Sequence, residues 1–571
     1  MSSDNRPTPF YRKREDRIER DSNSAKSLAI NKKRIVLINI LVVFAYILIS
    51  VRLLDLAISQ ENYKNFNNQL LTKYELPSPK TTRPDILDRN QHVLATNLRV
   101  TSLQINTKKI IDIEDSIEKL NGALPRLSKK DLYKKFNSKK NYVDLARHLK
   151  PSEEHRVNQL GIPGLDFHYE DKRYYPYNNL ASHILGYVDI DNKGQSGIER
   201  HIDKNLPKNK SIQLTIDIRA QHIMTREIKK ALSTYQARGG AGIILNAKNG
   251  EILSLVSLPD FNPNTKKRRD IIEKEKFNRA ISIYEMGSIL KIFTAALALE
   301  SGVGNMERIY DVSQPLRLGR KIIRDLHPKK DNLTLEEIVV YSSNVGASLI
   351  ASDIEEEYKG LLKEFFIRMG FLKRSPVELP EVVKPQGPKL WGKVNTLTTS
   401  YGYGISLNPV QVTTGIATMV NGGYLNQPTL FPIKEKKGKT RKIISEKTSK
   451  RIQRIMREVV ANENGTGKRA DVPGYFVGGK TGTSEKVGIN GQYDPNLLMS
   501  SFTGIFPYFD PEYIIMVMID EPKKITKGSI VTGGAIAAPV VKEVIKGLIS
   551  LLDIQQKIKH YDNLKASNHK I

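Results

Sequence analysis

From Ile35 to Val51 the chain carries no charged residue, and its apolar character continues through Leu53, Leu54 and Leu56 to Ile58. An α-helix needs about 20 apolar residues to cross a bilayer. Residues 35–58 are therefore expected to form a single transmembrane anchor, with Arg52 snorkelling at the far interface. A cleaved signal peptide is the rival, since Ala57-Ile58-Ser59 places small residues at cleavage spacing. The apolar run, however, exceeds the about 7–15 residues of a signal core. Residues 1–34 hold ten Lys or Arg, including Lys32-Lys33-Arg34 at the membrane edge. The positive-inside rule then puts this basic tail in the cytoplasm, and everything after residue 58 in the periplasm or outside the cell.

A length of 571 residues calls for about two to four folded units. The formal charge of +29 points to an anionic partner, nucleic acid or anionic lipid and cell-wall polymer alike. The expected orientation argues against nucleic acid. With no cysteine, disulfides, zinc-thiolate sites and thiol nucleophiles are excluded together.

Residues 59–80 read as a connector ending at Pro77 and Pro79. Ile86-Leu87 and Val93-Leu94-Ala95 flank an Arg-Asn turn and read as a hairpin. The Lys-rich stretch from 108 to 160 has a helical pattern, and 161–203 reads as short extended segments and turns. No titratable cluster in residues 59–205 suggests chemistry, so this part is expected to be a scaffold. Residues 206–555 mix both periods. Gly242–Asn246 and Ile252–Val256 flank Asn249-Gly250, a hairpin signal. Ser288–Ser301 reads as a buried helix, Met499–Ile505 and Tyr513–Ile519 as strands, and 533–553 as a closing helix. Helices packed on an antiparallel sheet are the natural assembly. Only the tail 556–571 looks dispensable.

Gly287-Ser288-Ile289-Leu290-Lys291 opens that buried helix. At a spacing of three, Ser288 and Lys291 share one helix face. Burial disfavours an ammonium and lowers its pKa, which lets a lysine take a serine proton. The helix N-terminus also offers free N–H groups to an oxyanion. Tyr341-Ser342-Ser343-Asn344 reads by itself as a turn or helix cap. Gly474-x-x-x-x-Gly479-Lys480-Thr481 formally meets the P-loop pattern, but no helix can be placed after it, so the nucleotide reading fails. There is no His-Glu-x-x-His and no Gly-x-Ser-x-Gly, and the expectation is no metal and no cofactor.

Ser288-x-x-Lys291, Ser342-x-Asn344 and Lys480-Thr481-Gly482, in that order, resemble the signatures of the penicillin-recognising serine acyltransferases. Arg83-x-x-Ile86-x-Asp88-Arg89-Asn90, Arg173-x-Tyr175-Pro176, Gly194-x-x-Gly197-Ile198-Glu199 and Ala538-Pro539 extend the likeness to a class B penicillin-binding protein. The form Tyr284-Glu285-Met286-Gly287-Ser288 and Tyr403-Gly404-Ile405-Ser406 before Asn408-Pro409 are similar to the division-specific type. Pro84, where the family usually has glycine, departs from the pattern in the scaffold. The resemblance implies an α+β multidomain fold with a transmembrane helix, a pedestal of the dimerisation type and a serine beta-lactamase-like transpeptidase domain. It implies a D,D-transpeptidase that cross-links peptidoglycan stem peptides ending in D-Ala-D-Ala and is acylated by beta-lactams. Ser288 would be the nucleophile and Lys291 its base, with Ser342 and Lys480 relaying the proton and Asn344 binding the donor. The Ser288 and Thr483 amides would form the oxyanion hole; Thr481 and Thr483, with Gly482 between them, would hold the substrate carboxylate. Implied partners are a membrane glycosyltransferase and other division proteins. The alternatives are an elongation-specific transpeptidase, a D,D-carboxypeptidase or a non-catalytic beta-lactam sensor.

Overall fold

The computed structural model describes residues 36–37, 39–55, 83–205, 210–265, 273–319, 321–326, 328–433, 440–488, 490–526 and 530–555. The basic tail 1–34, the connector 59–80 and the tail 556–571 lie outside them. The chain divides into two units, residues 1–81 and 82–571. In the first, residues 36–37 and 39–55 are helical, and apolar side chains such as Leu41, Phe44 and Ile47 are exposed. Among the described residues, no helix is long and apolar enough to cross a membrane.

The second unit opens with a five-stranded sheet built around one long strand. β1 (Ile86–Leu87) turns back into β2 (Val93–Asn106), the expected hairpin. α1 (Ile113–Ala123) and α2 (Lys129–Phe136) follow, capped by the side chains of Asp112 and Ser128 on the third amide of each helix. β3 (Tyr142–Leu149) then pairs with the far end of β2, which corrects the wholly helical reading of 108–160. After α3 (Pro151–Gln159), β4 (Leu165–Tyr174) pairs with β2 from Thr96 to Ile105. The 161–203 stretch is thus less broken than expected, and it closes on α4 (Gly197–Asn205). β5 (Ile212–Gln213) lies parallel to β1 and leads into the larger part of the unit.

A buried ionic cluster fastens the base of this scaffold. Glu199 is fully buried and takes Arg173 Nε at 2.7 Å on one oxygen and Arg83 Nε on the other. Arg83 Nη1 also donates to Asp203 Oδ1 and to the Asn192 carbonyl. Three charged positions of the scaffold motifs, Arg83, Arg173 and Glu199, therefore meet. Pro84 leaves the Arg83 contacts in place.

The larger part is built on an antiparallel sheet in the order β8–β9–β10–β6–β7: β6 (Gly239–Asn246), β7 (Ile252–Leu258), β8 (Gly478–Val487), β9 (Tyr493–Phe506) and β10 (Tyr513–Asp520). Gly250 turns the β6–β7 hairpin with φ +86°, in the left-handed region that glycine enters without strain. Successive strand side chains face opposite sides. Ile244, Ile515 and Val517 pack under α5 (Ile218–Thr234) and α10 (Ala537–Leu551). Ile243, Leu245, Met516 and Met518 join the core of α6 (Lys291–Ser301), α7 (Asn344–Glu357), α8 (Pro409–Val420) and α9 (Glu446–Ala461). Both faces are covered, so these strands read as near-continuous apolar runs. α6 is apolar nearly all round, as expected, but Ser288 precedes it in a 3-10 turn, Gly287–Leu290.

Glu199→Ala removes the carboxylate that two buried guanidiniums share, leaving Arg83 with Asp203 and Arg173 with no carboxylate among the described residues, and breaking such a buried pair costs about 3–5 kcal/mol. Thermal unfolding of the purified variant is expected to show a markedly lower midpoint; an unchanged midpoint would refute the role given to this cluster.

Candidate active site

Three chain segments supply the site. The 3-10 turn before α6 presents Ser288, and the first residue of α6 is Lys291. The α7 start presents Ser342 and Asn344; Ser343 is its N-cap and takes the Gly346 amide at 2.8 Å. Ser342 has φ +65°, a strained conformation for a non-glycine residue. The third segment is β8, which carries Lys480, Thr481, Gly482 and Thr483 on a strand. A P-loop would open a helix there, so the nucleotide reading stays excluded.

Glycines let these segments touch. A Cβ on Gly287, itself at φ +53°, would lie 2.6 Å from the Thr483 carbonyl oxygen. A Cβ on Gly482 would lie 2.4 Å from Ser501 Oγ and 2.8 Å from the Met286 carbonyl oxygen. β8 is the edge strand, and its Thr483 carbonyl points away from β9 toward Gly287. In an antiparallel strand the N–H and C=O of one residue point the same way. The Thr483 amide therefore also faces the nucleophile turn.

The polar atoms converge. Lys291 Nζ lies 3.0 Å from Ser288 Oγ, 2.8 Å from Asn344 Oδ1 and 3.2 Å from Ser342 Oγ, and it also contacts the Ser342 carbonyl. Lys480 Nζ approaches Ser342 Oγ from the other side at 3.0 Å. The Thr481 hydroxyl donates to Thr466 Oγ1 at 2.9 Å, and the Gly533 amide donates to Thr483 Oγ1 at 3.0 Å. All five expected catalytic residues and the Lys480–Thr483 strand border one site, beside a cleft of about 650 Å³ lined by Ser288, Ser342, Asn344, Thr481 and Thr483.

Burial sets the protonation. Lys291 is 1% exposed and Lys480 0%. Desolvation lowers the Lys291 pKa to about 7, opposed by the charge of Asp325. Lys480 is pushed well below the usual lysine range, first by burial and then by the charge of Lys291. A neutral Lys291 has two N–H groups for the Asn344 and Ser342 oxygens, leaving its lone pair for the Ser288 hydroxyl proton.

Asp325 is the residue that sequence reasoning missed. It accepts from the Ser343 hydroxyl at 2.6 Å, from the Asn344 amide and from the Val345 amide at 3.0 Å, so it pins the start of α7. Nothing in Arg324-Asp325-Leu326 marks it. Thr466 was also missed, although its glycine neighbours Gly465 and Gly467 hint at a close approach.

Residues 240–546 match the model of the penicillin-binding protein transpeptidase domain, and residues 79–234 match that of the penicillin-binding protein dimerisation domain. The chain belongs to the penicillin-binding proteins. Caulobacter vibrioides has a relative named probable peptidoglycan D,D-transpeptidase FtsI, 34% identical over 83% of this chain and 82% of its own length. The Neisseria meningitidis serogroup A protein named probable peptidoglycan D,D-transpeptidase PenA is 30% identical over 86% of this chain and 87% of its own. The Escherichia coli peptidoglycan D,D-transpeptidase FtsI is 26% identical over 83% and 84%. The crystal structure of penicillin-binding protein 3 from Mycobacterium tuberculosis, complexed with aztreonam, shares the fold with a TM-score of 0.65 at 21% identity, covering 83% of this chain and 97% of that one. This penicillin-binding protein is of class B, pairing a dimerisation domain with a transpeptidase domain, and it is a serine-type peptidoglycan D,D-transpeptidase.

Two outcomes are expected for acylation by a chromogenic cephalosporin. The second-order rate should rise with pH through about 7, as Lys291 loses its proton. Asp325 raises that pKa, so Asp325→Asn should move the acid limb to lower pH even where the rate itself falls. A limb that stays in place or moves upward would contradict the electrostatic assignment.

Proposed function

We propose that this penicillin-binding protein cross-links stem peptides of the septal wall through an acyl-enzyme on Ser288. The observation that carries the reading is the buried Lys291 amine, 3.0 Å from Ser288 Oγ, with a pKa brought down to about 7. Ser288 Oγ attacks the carbonyl of the penultimate D-alanine while Lys291 takes its proton. The Ser288 and Thr483 amides stabilise the oxyanion, as preorganised donors do in a dry site. The C–N bond breaks, and the leaving D-alanine amine receives a proton passed along Ser342 and Lys480. Asn344 holds the donor peptide, and Thr481 and Thr483 hold its terminal carboxylate. An amine from a neighbouring strand then attacks the ester and restores Ser288. Beta-lactams acylate the same oxygen by opening their ring amide.

The division role is supported by the FtsI names of the Caulobacter and Escherichia relatives. The membrane anchor rests on the uncharged run from Ile35 to Val51, with the N-terminus in the cytoplasm and the catalytic domain outside. In this reading the helix and scaffold engage a membrane glycosyltransferase and other division proteins.

Ser288→Ala is expected to abolish covalent labelling by a fluorescent penicillin, and persistent labelling would sink the assignment. Lys291→Ala should stay folded and acylate about 10²–10⁴-fold more slowly, the range of a lost general base. A tagged protein should gather at midcell in dividing cells; an even lateral distribution would favour wall elongation instead.

A further inference from the structure

Ser288, the start of α7 and the β8 strand supply only part of the lining of the cleft beside them, which holds about 650 Å³. The rest is lopsided in charge. The charged residues on the lining are Asp325, Lys329, Lys330, Lys468 and Arg469, four cations against one carboxylate. Lys330 is neutralised by Glu337, whose carboxylate lies 2.5 Å away. Asp325 is turned to the Ser343 hydroxyl and to the Asn344 and Val345 amides. The nearest acids along the chain, Asp331, Glu463 and Asp471, are not on the lining, and Asp471 is held by Arg457 at 2.8 Å. Lys329, Lys468 and Arg469 therefore remain against Asp325. Among the described residues Lys329 and Lys468 have no hydrogen-bond or ion-pair partner, and Arg469 reaches only the Ala535 carbonyl, at 3.5 Å. All three residues are exposed, so a ligand in the cleft can reach them.

The cations stand on two walls. Lys329 follows Asp325 on the segment that pins the start of α7, and Lys468 and Arg469 follow Thr466, which is bonded to Thr481 of β8. Close packing seats the second wall: a Cβ on Gly465 would lie 2.4 Å from the Val459 carbonyl oxygen, and one on Gly467 2.9 Å from the Phe502 ring. The same cleft carries Leu326, Ile525 and Ile530, apolar side chains that are 79%, 56% and 61% exposed. A cleft lined by charge of one sign concentrates the field and favours ligands of the opposite sign. The advantage grows with each carboxylate that the ligand carries. In the proposed reaction Thr481 and Thr483 take the terminal carboxylate, which leaves the cations of the walls for another.

We propose that the cleft selects a donor stem peptide with a second free carboxylate, carried on an aliphatic arm of the residue before D-Ala-D-Ala, and that Lys329, Lys468 and Arg469 make the selection. The aliphatic arm lies against Leu326, Ile525 and Ile530. A stem whose corresponding residue ends in a free amine meets the same cations as like charges and is disfavoured. This assignment rests on the donor reading of the cleft and names the class of donor; binding itself does not require Ser288 to react.

Calorimetry on the full chain carrying Ser288→Ala compares acetyl-L-α-aminopimelyl-D-Ala-D-Ala, which has two carboxylates, with Nα,Nε-diacetyl-L-lysyl-D-Ala-D-Ala, which has one. The dianion should bind more tightly, and its advantage should shrink as salt is added. Lys329→Gln, Lys468→Gln and Arg469→Gln, each added to that chain, should cut the advantage about two- to fivefold, the range of one exposed ion pair. Equal binding of the two peptides, binding of neither, or an advantage that survives all three substitutions overturns the selection. Acylation of the chain with Ser288 intact gives a second measurement, with benzylpenicillin and with carbenicillin, which bears one more carboxylate on the same side chain. The ratio of their second-order rates should shift against carbenicillin in the same three variants; an unchanged ratio places the carboxylate outside the acyl donor and overturns the assignment. Absence of acylation by either penicillin would instead contradict the acyl-enzyme reading and leave the calorimetry to decide this one.

Discussion

The removal of the Lys291 amine from water is the interaction on which the site depends. Its ammonium form is disfavoured by burial in the core of α6, and Asn344 and Ser342 accept the two N–H groups that the neutral amine keeps. Without burial the amine stays charged at neutral pH and cannot take a proton from Ser288. With burial but no acceptors, a polar group would be stranded at a cost of about 1–3 kcal/mol. The apolar surroundings in Ile292, Phe293 and Leu297 thus serve both packing and proton affinity.

The same economy governs the backbone. Ser288, Ser342 and Lys480 come from a 3-10 turn, a strained helix entry and an edge strand, and they meet because side chains are absent where the segments cross. Gly287 and Gly482 allow the contact, and the edge position of β8 leaves the Thr483 amide free to face the turn. The strain at Ser342 is held by Asp325, which takes three donors from the next three residues. Acting through these backbone amides, Asp325 positions Ser342 and Asn344 while its charge tunes Lys291.

The motifs are legible in the sequence because each is local: Ser288 and Lys291 sit one helix turn apart, and the Gly478–Thr483 run holds three glycines in six residues. The Asn249-Gly250 hairpin is legible for the same reason. What the sequence conceals depends on partners distant in the chain. Tyr142–Leu149 becomes a strand because β2 offers it a ladder, against the Lys-rich helical pattern that precedes it. β4 is continuous because ten β2 residues pair with it. Glu199 looks like a surface acid until Arg83 and Arg173 close on it. Asp325 carries no motif, since its role is defined only by where α7 begins.

Two buried lysines flank a single hydroxyl. Both touch Ser342 Oγ, at 3.2 and 3.0 Å, so their charges are too close for both to be protonated in a buried site. The charge of Asp325 favours the proton on Lys291, and a charged Lys291 depresses Lys480 further. In the proposed acylation the pair therefore holds one proton and not two once Ser288 has lost its own. Ser342, with one hydroxyl between the amines, gives that proton a route away from the base. In the proposed reaction, that outward transfer leaves Lys291 neutral again before the acceptor amine arrives, the state that deacylation by the same base requires.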